Sequence, residues 1–106
     1  MAGPKRRLSK ASRRVLEAMY TAAPDAMYGM ELMDAAAAPS GTLYPILARY
    51  RDYGWLTAER EDIDPTEAGR PARTYYRLTG QGVTAARTRL PQEALTGGLT
   101  WIGGDR

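Results

Sequence analysis

The chain has 106 residues, a mass of 11.7 kDa and a net charge of +3, with a pI near 9.4. It contains neither cysteine nor histidine, which excludes thiol chemistry and removes the commonest metal ligand and the commonest general base. We therefore predict one small domain that is not an enzyme and that uses no metal or cofactor. No apolar run approaches the roughly 20 residues of a membrane-spanning helix, and the N-terminus lacks the apolar segment of a signal peptide, so the expected location is cytoplasmic.

The first eight residues are basic and show no periodicity, which predicts a flexible N-terminal arm over residues 1–8. Thirteen of the fifteen basic residues in the chain are arginines, and arginine suits bidentate contacts to phosphate and guanine. The basic block that precedes Glu17 fits a nucleic-acid partner, but a solvated tail explains the same charge equally well.

Two helices are predicted next. Apolar residues recur at helical spacing from residue 9 to residue 22, with Ser9 or Ser12 as the candidate N-cap, and Pro24 ends the pattern. A second helix is predicted over residues 27–37. It runs into four alanines, residues 35–38, whose small side chains suit a tight crossing against the next helix, as in helix-turn-helix units.

The third helix has a complete apolar stripe and ends at Gly54. The stripe consists of Leu43, Ile46, Leu47 and Tyr50. If Thr42 is the N-cap, Pro45 lies in the first turn, where its missing N–H has no consequence; if Ser40 is the N-cap, one helical hydrogen bond is lost. The opposite face is then expected to be exposed and to present Ser40, Thr42, Tyr44, Pro45, Ala48 and Arg49.

A hairpin and a fourth helix complete the predicted domain. Residues 55–61 and 74–78 alternate as strands do, and the turn-rich residues 62–71 connect them. Tyr76 is expected on the inner face of the hairpin and Tyr75 on the outer face. Thr79 is the candidate cap of a helix that runs to about Leu90, and Pro91 with the later glycines predicts an irregular tail over residues 91–106.

Together these elements predict an α+β, mostly α fold of the winged helix-turn-helix type: three helices, a two-stranded β wing and a C-terminal fourth helix. Such domains place the third helix in the major groove and the hairpin loop beside an adjacent groove or the backbone. Arg70 and Arg73 flank the loop and are candidate DNA contacts. Each could instead form an ordinary salt bridge with Glu61, Asp62 or Asp64, just as Ser40 and Thr42 could serve only as caps.

Four motifs, in this order, resemble the PadR family of bacterial transcriptional regulators over about residues 12–90. They are Tyr28-Gly-Met-Glu-Leu32, Ser40-Gly-Thr-Leu-Tyr-Pro45, Tyr53-Gly-Trp-Leu56 and Gly69-Arg-Pro-Ala-Arg-Thr-Tyr-Tyr-Arg-Leu-Thr79. The resemblance implies a homodimer that binds a palindromic operator, usually as a repressor. It also implies DNA contacts from Tyr28 and Gly29, from the segment of Ser40, Gly41, Thr42, Tyr44 and Pro45, and from the wing around Arg70 and Arg73.

The predicted domain therefore spans residues 9–90 and includes a dimerising fourth helix. The proposed dimer contacts are apolar residues of the first and fourth helices, namely Val15, Met19, Val83, Ala86 and Leu90. Trp101 in the tail is expected to cover the core of its own subunit. The sequence does not identify a small-molecule effector. The alternative function is a winged-helix module that binds protein and has no specific affinity for DNA.

Overall fold

The computed structural model describes residues 7–91, and the predictions for the rest of the N-terminal arm and for residues 92–106, including Trp101, lie outside the described residues. The elements run in the order α1 (Lys10–Ala22), β1 (Met27–Tyr28), α2 (Gly29–Ala36), α3 (Ser40–Asp52), β2 (Leu56–Arg60), α4 (Pro65–Ala68), β3 (Thr74–Leu78) and α5 (Gly80–Arg89). None of the helices in residues 7–91 is both long enough and apolar enough to cross a membrane.

The cap of α1 is Ser9. Its hydroxyl oxygen accepts a hydrogen bond from the backbone N–H of Ser12 at 3.1 Å, and Ser12 itself is buried. Of the two caps that the sequence left open, the structure therefore has the first. The predicted cap of the last described helix is confirmed as well. The Thr79 hydroxyl accepts from the N–H of Gly82 at 3.0 Å and caps α5.

The turn between α2 and α3 is tight because alanines line it. Ala36 and Ala38 are buried, while Ala37 between them adopts the left-handed conformation with φ of 51°. Helix α3 then begins at Ser40, with Pro39 in the N-cap position, so the predictions that Thr42 or Ser40 caps it were both wrong. The carbonyl of Pro39 accepts from the N–H groups of residues 42 and 43, both at 2.9 Å. Pro45 consequently lies within the second turn of the helix, where it removes one backbone hydrogen bond.

The sheet has three antiparallel strands in the order β1-β3-β2, and not the two that were predicted. The missing strand is β1, whose Met27 and Tyr28 pair with Tyr76 and Tyr75. Two residues are too few to show strand alternation, so the predicted second helix included them. The short helix α4 was also missed: Asp64 caps it by accepting from the N–H of residue 66 at 3.0 Å, within the segment predicted to be a turn-rich connector.

The core lies between α1, α2, α3, the inner face of the sheet and α5. The predicted stripe of α3 is buried in full, and Tyr50 anchors it by donating its hydroxyl proton to the carbonyl of Ser12 at 2.7 Å. Burial raises the pKa of Tyr50, so the phenol stays neutral and remains a donor. Gly54 has φ of +82° and ends this region in the left-handed conformation that was predicted.

The residues proposed as dimer contacts are mostly used inside one subunit. Val15 and Ala86 are fully buried, Met19 and Leu90 are nearly so, and Val83 packs against the same core. In the sequence these side chains resemble surplus apolar surface, because periodicity alone does not show that α1 and α5 pack into one core. A homodimer stays a prediction, but these side chains are not a free surface for it.

Candidate nucleic-acid interface

Helix α3 presents a polar face because its apolar stripe fixes how it is rotated. With the stripe turned into the core, the side chains predicted to face outward are all exposed: Ser40, Thr42, Tyr44, Pro45, Ala48 and Arg49. Gly41 is exposed as well, and a side chain at its position would meet nothing within 4 Å. This broad exposed side of one helix therefore offers hydroxyls, a phenol and a guanidinium, a set of groups suited to phosphates and base edges.

Tyr44 leans from this face onto the first residue of α2. Its side chain is 43% exposed, and a Cβ built on Gly29 would overlap the Tyr44 hydroxyl and lie 3.2 Å from its Cζ. Gly29 itself is buried. The glycine is thus needed so that the tyrosine can approach the backbone of α2, and a DNA contact from Gly29 stays a prediction.

An open cleft of about 580 Å³ separates Tyr44 of α3 from the wing, which is the hairpin of β2 and β3 with its connecting segment (residues 56–78). Its lining combines aromatic, apolar and basic side chains, including Tyr28, Met30, Tyr44, Arg60, Arg73 and Tyr76. Met30, at the start of α2, is 62% exposed. Tyr76 is the inner tyrosine of β3, as expected: it packs against the core, and burial raises its pKa. The cleft brings together two predicted segments that are about thirty residues apart in sequence.

Arg70 is committed to an ion pair inside the wing. Its Nη1 and Nη2 donate to the two carboxylate oxygens of Glu61 at 2.6 and 3.0 Å, and Nη1 also approaches the carbonyl of Pro71 at 3.2 Å. The hydrogen bond from Arg70, and after it the one from the backbone N–H of Arg73, lowers the pKa of Glu61 to about 2. Of the two arrangements that the sequence left open for Arg70, the structure has the salt bridge, and a DNA contact from Arg70 stays a prediction.

Arg73 behaves differently from its neighbour. Its Cζ lies 4.1 Å from the centroid of the Tyr28 ring, and it has no carboxylate partner within residues 7–91. Tyr28 in turn contacts Tyr75 edge to face, with centroids 5.6 Å apart. The charge of Arg73 is therefore held at the mouth of the cleft without being neutralised by a carboxylate of the described chain.

Several other arginines donate to backbone or side-chain oxygens of the same subunit. Arg14 donates through Nε to the carbonyl of Ala36 at 2.7 Å, at the C-terminal end of α2. Arg77 donates to the carbonyl of Pro24 at 2.6 Å, and Arg60 donates to the hydroxyl of Thr74 at 3.2 Å. These bonds hold the sheet and α2 in place. Among the arginines predicted to contact DNA, Arg49 and Arg73 make no such bond in residues 7–91, and Arg73 is the one of these two that lines the cleft.

Residues 18–88 match the family model described as the transcriptional regulator PadR-like family. The chain belongs to the PadR-like family of transcriptional regulators. Among solved structures, it is similar to one described as "Crystal structure of the overoxidized AbfR bound to DNA", with a TM-score of 0.58 and 20% sequence identity over 90% of this chain. The match covers 59% of that chain, so this chain spans well under two thirds of its length. No curated protein matches significantly.

Two organising residues of this PadR-like chain escaped the sequence analysis. The sequence indicated Glu61 only as a possible salt-bridge partner of Arg70 or Arg73. It indicated Tyr28 only as a DNA contact, through the family resemblance. One signal was present, because strand alternation places Arg73 and Tyr75 on the same face. Without β1, however, nothing indicated which aromatic ring would lie beside them.

Proposed function

We propose that this PadR-like protein is a sequence-specific DNA-binding repressor that acts as a homodimer on a palindromic operator. The observation that carries the proposal is that Tyr44, on the exposed face of α3, and Arg73 line one open cleft. In this arrangement α3 enters the major groove, the phosphate backbone runs along the cleft, and Arg73 reaches the far side of that strand. The similar fold of AbfR, whose structure is described as bound to DNA, is consistent with this use.

Specific contacts are assigned to the exposed face of α3. Thr42, Tyr44 and Arg49 can offer hydrogen bonds to base edges or phosphates, and the backbone N–H groups at the start of the helix favour phosphate through the helix dipole. Arg73 is assigned to phosphate, because a guanidinium without a carboxylate partner adds affinity that does not depend on the base sequence.

The test is the salt dependence of binding to a duplex that the wild-type protein selects from a randomised pool. Each phosphate contact contributes a slope of about −0.9 in log K against log salt concentration. We expect Arg73→Ala to weaken binding to all duplexes similarly and to make the slope shallower by about one unit. Arg70→Ala removes the same formal charge and serves as the matched comparison, with a smaller change in slope, because Arg70 is already paired with Glu61. Affinity that does not change with salt would contradict the proposal and would favour the protein-binding alternative.

The homodimer is tested separately from DNA binding. A two-fold dimer would present two α3 helices about 34–36 Å apart, so that both enter successive major grooves on one side of a palindrome. We expect light scattering to give twice the monomer mass, and a footprint upstream of the protein's own gene to protect two symmetric half-sites. A monomer in both the free and the DNA-bound state would contradict the dimer. Leu90→Asp is unsuitable as a dimer probe, because Leu90 is buried in its own subunit and the change would unfold it.

A further inference from the structure

We infer that Tyr28 positions Arg73 and does not itself contact DNA, so that the phosphate-binding side chain of the wing is held from two directions. The inference rests on the proposed function, in which Arg73 binds the DNA backbone. It assigns Tyr28 and Glu61 as positioning residues of the interface.

Glu61 holds the backbone of Arg73. Its N–H donates to Oε1 of Glu61 at 2.9 Å, and its carbonyl accepts from the N–H of Glu61 at 2.8 Å. The same carboxylate is fixed by the bidentate contact with Arg70. The backbone of Arg73 is therefore tied through its N–H and its carbonyl to Glu61, the residue that follows β2.

Tyr28 holds the guanidinium of Arg73. Because Tyr28 pairs with Tyr75 in the β1–β3 ladder, it lies diagonally across from Arg73, which precedes Tyr75 by two residues and shares its face. The edge contact with Tyr75 orients the Tyr28 ring, and the backbone N–H of Tyr28 donates to Oε1 of Glu31 at 3.1 Å. The guanidinium then lies over the ring at 4.1 Å, a distance at which the ring attracts the cation.

This stacking suits a phosphate contact for a geometric reason. The five N–H donors of a guanidinium lie in its plane, so a ring that covers one face leaves all of them available at the edge. A side chain already held in this way loses less conformational freedom when it binds. A phenol that bound DNA directly would behave differently, because its affinity would depend on its hydroxyl group and not on the ring.

The experiment compares Tyr28→Phe, Tyr28→Leu, Arg73→Ala and the double variant Tyr28→Leu/Arg73→Ala on the selected duplex at fixed salt. Tyr28→Phe keeps the ring and should bind like the wild type. Tyr28→Leu should lose about two- to fivefold in affinity, as expected for an exposed cation–π pair. In the Arg73→Ala background, Tyr28→Leu should cause no further loss. A loss with Tyr28→Phe, or additive losses in the double variant, would show direct contact and overturn the inference.

A second measurement needs no DNA and stays informative if a variant folds poorly. In the wild-type protein, a proton NMR spectrum should show the Arg73 side-chain protons shifted upfield by the ring current of Tyr28, relative to those of Arg60. The shift should persist in Tyr28→Phe, and its absence in the wild type would overturn the inference. If instead the shift is present but no duplex is bound in a salt-dependent way, the stacking stands and the proposed function fails.

Discussion

Helix α3 and the wing line the same cleft, α3 through Tyr44 and the wing through its arginines, yet the two are held in place by different forces. Four residues of α3 are buried, and their packing fixes which side chains face outward. From residue 57 to residue 77, by contrast, no residue is buried. The wing is shaped by one carboxylate, two arginines and two tyrosines in edge-to-face contact, one of them from β1.

The difference predicts two kinds of response to mutation. Apolar burial is non-directional and additive over area, so damage to α3 should appear in the stability of the whole domain. The contacts of the wing are directional and only partly buried, so their loss should change the local geometry and the affinity for DNA while global stability changes little. The predictions below test this contrast, beginning with the largest effect.

The largest effect is expected in the buried face of α3. Leu47→Ala should lower the free energy of unfolding by about 2–5 kcal/mol, because it removes buried methyl groups and leaves a cavity. Urea denaturation followed by circular dichroism measures this change. Arg49→Ala, on the exposed face of the same helix, is the matched control and should stay within about 0.5 kcal/mol of the wild type. Equal effects of the two changes would mean that the helix is rotated from the orientation described above.

The next effect concerns function on the exposed face. Tyr44→Ala should leave the melting temperature nearly unchanged while it reduces affinity for the selected duplex, because the side chain is substantially exposed and is assigned to DNA. Gly29→Ala is a companion variant, since its new methyl group must displace the Tyr44 hydroxyl. Both should lower affinity. An unfolded Tyr44→Ala protein would identify Tyr44 as a structural residue.

A smaller effect, of opposite sign, is expected in the turn that leads into α3. Ala37 has a left-handed backbone, which glycine adopts without steric cost. Ala37→Gly should therefore raise the free energy of unfolding by about 0.5–1 kcal/mol after the extra freedom of glycine in the unfolded chain is subtracted. Ala35→Gly, at an exposed position of α2 two residues earlier, is the control and should be destabilising. If both substitutions lowered the free energy of unfolding, the left-handed conformation of Ala37 would be contradicted.

The smallest change in the free energy of unfolding is expected in the wing, and this change should depend on pH. The folded-state pKa of Glu61 is lowered from 4.5 to about 2, so the ionised carboxylate stabilises the fold fully above about pH 4.5, and this contribution is lost as the pH falls towards 2. The stability difference between the wild type and Glu61→Gln should shrink over that window and stay constant from pH 6 to 8. Thermal unfolding across the pH range measures it. A difference that titrates near neutral pH would point to another group.

The sequence by itself determined the helices and strands that have clear periodicity. The stripe of α3 predicted its buried face and hence its exposed one, Gly54 predicted where the helix region ends, and Thr79 predicted the start of α5. The pattern succeeds at these positions because side-chain burial repeats with the geometry of the backbone. Four sequence motifs, independent of this periodicity, indicated the family resemblance, which the match over residues 18–88 confirmed.

Only the tertiary structure decided what the polar groups of the wing do. Arg70 and Arg73 are three residues apart and chemically identical, yet one pairs with Glu61 and the other lies over Tyr28. Such choices depend on distances of a few ångströms between segments that are far apart in the chain, and no local pattern encodes them. The same holds for β1, which is too short to show a period, and for Val15, Met19, Ala86 and Leu90, whose apolar character did not reveal that their own subunit covers them.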